Sequence, residues 1–137
     1  MRRSDAVREV PRADARKAMS LALELITSSE TSTAIGHWRA AGLTAIHAGI
    51  SAADAALAAA AGVRSASQDH AGVAELLADR VPEFKMAQRR QITGLLKEKS
   101  AIAYEQRVVT ESEARVMLDQ AKRFVEWASG VVTRSLG

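Results

Sequence analysis

Lys99 is the residue whose position most needs a chemical explanation. It follows Ile92 by seven residues, Leu95 by four and Leu96 by three, so helical spacing sets a cation on an apolar stripe. A cation there needs a partner, or a stem long enough to carry its amine past the core edge to water. His47 and Asp54, seven apart, share one helical face amid Ala, Gly and Ile. Asp54 is a natural candidate to neutralise Lys99; the plainer alternative has Asp54 bonding a loop amide and His47 half exposed. Arg64 and His70 form a third group, flanking an expected helix start between them. A helix N-terminus beside an arginine can hold an anion. The architectural alternative has Ser67 or Asp69 capping that helix and Arg64 paired with a carboxylate.

Other chemistries are excluded or unsupported. The chain has no cysteine, so disulfides, thiolate catalysis and cysteine-based zinc sites are ruled out. His37, His47 and His70 lie far apart without accompanying paired carboxylates, and neither a phosphate-cradling glycine motif nor a nucleophile elbow is present, so no metal and no cofactor are expected. The formal charge is +3, but 19 Lys and Arg are interleaved with 16 Asp and Glu, which permits a nucleic-acid partner without requiring one. At 4% aromatics, extended stacking platforms and RNA-reading sheets are disfavoured. The charged start, Met1-Arg2-Arg3-Ser4-Asp5, does not resemble a secretory signal. Residues 40–63 carry His47 and Asp54 among Ala and Gly, too weakly apolar for a span, so no membrane association and a cytoplasmic setting are expected.

Positioning these residues falls to helices. No segment shows the two-residue alternation of a half-buried strand, and several show helical spacing over long stretches, so the expected fold is all-α, four long helices and a short one in a single domain over 13–137. Residues 1–12 have no periodic apolar set and are expected to be a flexible lead-in. The first helix is expected over 14–27, ended by Ser28, Ser29, Thr31 and Ser32, which would also cap a second helix over 33–60. Along that second helix Gly42, Ala45, Gly49, Ala52, Ala56 and Ala59 leave a face of minimal bulk that calls for a closely approaching helix, from this chain or from a second copy. A loop over 62–67 and a short helix over 68–79, stopped by Pro82, precede a fourth helix over 83–104. The last helix opens at Thr110-Glu111-Ser112-Glu113, a capping box, and continues with apolar residues at strict i, i+3, i+4 spacing.

Three segments taken in order resemble the HEPN superfamily of small helical domains. They are His47 to Ala55, then Gly62-Val63-Arg64-Ser65 leading to Asp69-His70-Ala71-Gly72-Val73, then Leu95 to Tyr104, and the likeness covers about residues 14 to 132. The resemblance implies an up-and-down helical bundle, homodimers with a site near the dimer interface, roles in toxin–antitoxin or defence modules, and a cognate partner protein such as a nucleotidyltransferase. Active members are metal-independent RNases with an Arg-x4-6-His motif near the end of a long helix. Here Lys99 stands where that Arg would be and Tyr104 about where the His would be, so the catalytic pair is absent. Arg64 and His70 fit the spacing literally but fall before the short helix, not on the family's catalytic one. The expectation is a catalytically degenerate domain that binds RNA, a nucleotide or a partner protein through Lys99, Tyr104, Arg64, His70, His47 and Asp54. The alternatives are a metal-independent endoribonuclease toxin and a structural dimerisation or antitoxin-like module.

Overall fold

The last helix begins where its capping box predicts. In the computed structural model, which describes residues 7–66, 70 and 72–137, the Glu113 N–H donates to Thr110 Oγ1 at 3.1 Å and the Thr110 N–H donates to Glu113 Oε1 at 3.0 Å. Two donors that the first helical turn would leave unpaired are satisfied in this way. The described residues form β1 (Val7–Glu9), α1 (Asp14–Ala34), α2 (Trp38–Ala61), β2 (Val63–Ser65), α3 (Val73–Arg80), α4 (Met86–Ala103) and α5 (Glu111–Leu136). The molecule is predominantly helical, with one two-stranded antiparallel sheet joining β1 to β2.

Several boundaries differ from expectation for identifiable reasons. The Ser/Thr run does not end α1, because the buried hydroxyls of Ser29 and Thr33 are engaged within and between helices. Ser29 Oγ donates to the Ala41 carbonyl at 2.7 Å, and Thr33 Oγ1 donates to the Ser29 carbonyl at 2.8 Å. Such bonds satisfy the hydroxyl without taking backbone groups out of the helix. The break comes instead at Gly36, whose φ of +78° is open to glycine without strain. Nor are residues 7–12 a loose lead-in. Val7, Arg8 and Glu9 pair with Ser65, Arg64 and Val63, the Val10 N–H donates to the Gly62 carbonyl at 2.9 Å, and Arg12 Nη1 donates to the Ala59 carbonyl at 2.9 Å. Residues 1–6, and the expected caps Ser67 and Asp69, lie outside the described residues.

At the centre runs α2, which packs against α1 and α5 along its length and against α4, α3 and β2 more locally. Its length and composition would suit a membrane span, yet 72% of its most apolar 18-residue window is buried within this chain, as in a core helix. The small-residue face explains how so many neighbours fit. A Cβ at Gly42 would lie 2.9 Å from Met117 Cε of α5, and one at Gly49 would lie 2.8 Å from Leu95 Cδ1 of α4. The closely approaching helices therefore come from this chain, which removes the exposed small-residue surface that a second copy would need. Large apolar side chains on the opposing elements fill what the alanines leave, among them Phe124, Ile92, Leu95, Ile102 and Val131. Trp127 closes one end of the core against Phe84 and Phe124, at ring separations of 5.8 and 5.3 Å.

Candidate functional site

The six residues singled out by sequence do not converge on one site. Lys99 is half-buried on α4 and its charge acts on His47 of α2, which is exposed as the plainer alternative had it, and no ion pair joins Lys99 to Asp54 among the described residues. Burial, and then repulsion from the Lys99 ammonium, hold the His47 imidazole below its ordinary pKa. At neutral pH the pair is a neutral imidazole beside a cation, two groups of opposite proton-transfer character.

Asp54 lies two turns further along α2, in a cleft of about 340 Å³ between α1, α2 and β2 that also holds Ser51, Lys17, Leu21 and Arg64. The candidate neutralisation of Lys99 by Asp54 is thus corrected: seven residues share a face but differ by about 10 Å along the axis, and the cation acting on Asp54 is Arg64. Burial pushes the Asp54 carboxyl up to about 6, and the Arg64 guanidinium only partly opposes it. Because the folded-state value lies above the ordinary 3.8, this group's favourable contribution is complete below about pH 4 and is lost as pH rises through 6. Asp54→Asn is expected to raise unfolding free energy at pH 7.5 by about 1 to 2 kcal/mol, discounted for partial exposure, and to change little at pH 4. Urea denaturation of both proteins at the two pH values checks this; an equal difference at both would refute it.

Arg64 and His70 are not brought together either. Arg64 is exposed on β2, whereas His70, at a left-handed φ of +59°, borders a separate cleft of about 340 Å³ with Glu75, Arg89, Thr93, Leu96 and Lys97. Tyr104 caps the C-terminus of α4 with 74% of its surface exposed, on the opposite side of the helix from Lys99.

Two clusters escaped the sequence reading. One is the outward face of α4, where Arg90, Lys97 and Tyr104 recur at seven-residue intervals with Thr93 and Ser100 between them, all exposed. Together with its N-cap Lys85, α4 carries Arg89, Arg90, Lys97 and Lys99 against the single acid Glu98. Arg89 pairs with Glu75 at 3.2 Å, but among the described residues no carboxylate lies within ion-pairing distance of Lys85, Arg90, Lys97 or Lys99. Counting charge helix by helix, instead of over the whole chain, would have found this face. The other cluster fixes the α4–α5 connection. Arg107 is clamped between Glu98 of α4 and Glu113 of α5, while Arg39 Nη1 donates to the carbonyls of Ile102 and Arg107 at 2.9 and 3.3 Å. This network holds the C-terminal end of α4, and Tyr104 with it, at a fixed angle to α5. No protein-family model matches the chain, and no curated protein matches it.

Proposed function

We propose that this chain is a HEPN-like domain, an up-and-down bundle of four long helices, that binds single-stranded RNA along the outward face of α4 without cleaving it. The observation that carries the reading is the exposed line of Arg90, Lys97 and Tyr104, about 21 Å long at 1.5 Å per residue. Unpaired cations on a rigid helix track a phosphate backbone, and an exposed ring at the end of the line offers one base a stacking surface. Thr93 and Ser100 between them supply hydroxyls for phosphate or ribose oxygens. His70 shares a cleft with Thr93 and Lys97 beside this face, whereas Lys99 lies on the other side of α4 and Arg64 and Asp54 belong to a different part of the molecule.

The test is equilibrium binding of a fluorescent single-stranded RNA, with the matching duplex alongside. Tyr104→Ala is expected to weaken single-strand binding about tenfold, within the range for loss of one base–aromatic stack. Tyr104→Phe retains the ring and keeps the affinity. Single-strand affinity unchanged in Tyr104→Ala, or a preference for duplex, would count against the reading.

One observation favours a second reading, endoribonuclease activity. The neutral His47 imidazole next to the Lys99 ammonium supplies a base and a cation of the kind that 2′-hydroxyl attack on phosphate requires. Incubating the same RNA with the protein in EDTA separates the two: intact RNA supports binding alone, and cleavage abolished by His47→Ala supports catalysis.

A further inference from the structure

The N-terminal segment is a strap across the C-terminal end of α2. Three paired residues, the Val10 N–H bond to Gly62 and the Arg12 bond to Ala59 hold it there. Under it, Ala15, Ala58 and Ala59 pack with Val10, Val132 and Leu136 as a small cluster apart from the main core.

The attachment contains its own opposition. Arg8 stands directly across the ladder from Arg64, both exposed, and like charges so placed repel. Val10 walls one side of the cleft that holds Asp54, so the closed strap helps withhold water from that carboxyl. Among the described residues, the charged groups lining the cleft with Asp54 are Asp14 and Lys17 from α1 and Arg64 from β2; Lys17 is 4.0 Å from Asp14, and α2 adds no other charge to that lining. Arg64 belongs to β2 and not to the strap, so release of β1 acts on Asp54 chiefly through hydration of the carboxyl.

We propose that the strap is an acid-tightened latch, closed most firmly when Asp54 is protonated and loosened when Asp54 is ionised. The direction follows from linkage: the proton favours whichever state makes the carboxylate less comfortable, and that is the closed state, in which Val10 forms part of the wall of the Asp54 cleft. A burial-raised carboxyl at about 6 sets the transition between pH 5 and 7. Opening would bare the Ala58 and Ala59 surface and the edge of β2, while α1, α2, α4 and α5 remain packed. The latch is independent of the RNA-binding reading, since its residues lie away from the α4 face.

Native-state amide hydrogen exchange on the full chain tests it. The alternation of an antiparallel ladder, with Val10 and Gly62 hydrogen-bonded, makes Arg8 and Arg64 the next hydrogen-bonded pair. Their amides report the latch, and the Ala52 and Phe124 amides report global unfolding. At pH 5 the protection factors of Arg8 and Arg64 are expected to exceed those at pH 7.5 by about fivefold, the effect over this range of one pKa unit between closed and open states. Asp54→Asn should hold the high value at both pH values, and Arg8→Gln should raise protection at both while keeping the pH dependence. Protection that changes less than twofold in the wild type, that changes equally in Asp54→Asn, or that only follows the Ala52 and Phe124 amides would overturn the latch.

Discussion

Gly49→Leu is expected to destabilise the fold by about 3 kcal/mol, the upper end of the usual cost of overpacking, which for a domain of this size lowers Tm by about 10 °C. At this position a bare Cβ would already lie 2.8 Å from Leu95 Cδ1 and 3.4 Å from Ile92 Cδ1. Both neighbours are wholly buried, so neither can swing out to make room. Gly49→Ala separates the contributions. Alanine gains about 1 kcal/mol of helix propensity over glycine, against a single methyl that Leu95 must accommodate, and a Tm near that of the wild type is expected. Combining Gly49→Leu with Leu95→Ala should recover part of the loss, because the two side chains compete for one volume and their effects do not add. Thermal and urea unfolding of the four proteins check the set. A Gly49→Leu Tm within 2 °C of wild type would mean that α2 and α4 are not packed as described.

The same position shows what the sequence makes legible and what it does not. Small residues at helical spacing announce a close approach, and the structure supplies α4 and α5 to make it. The capping box at Thr110 was readable because both of its hydrogen bonds span only three residues. The α1–α2 break was misplaced because Ser29 looks like a capping residue until the Ala41 carbonyl is known to lie within reach of its hydroxyl. Three-residue strands carry too few positions for an alternation to be seen, and β1 exists only because β2, 56 residues later in register, presents its partners. The polar residues follow the same rule. That Lys99 and Asp54 are unusual could be read from local spacing, but their partners are set by helix packing, so the pairing of one with the other was a candidate that spacing alone could not test. The Lys99 charge acts on His47, and the Arg64 charge acts on Asp54.

Reversing two charges on α4, Arg90→Glu with Lys97→Glu, is expected to weaken single-stranded RNA binding about a hundredfold at low salt and to lower the slope of log affinity against log salt by about 1.4, the equivalent of two phosphate contacts. Both side chains are exposed, and neither has a carboxylate partner among the described residues. The fold should therefore be unaffected, with Tm held within about 1 °C. The informative control reverses two cations of α5, Lys122→Glu with Arg123→Glu, which alters net charge by the same amount. These are exposed as well, but Lys122 pairs with Glu30 at 3.1 Å and Arg123 with Asp119 at 2.9 Å, so much of their field is already cancelled. If α4 is the RNA-binding face, the α5 reversal weakens binding by no more than severalfold, an effect of net charge alone. Equal losses from the two reversals would mean that RNA senses only the protein's overall charge, and an α4 reversal that binds like wild type would remove this helix as the interface.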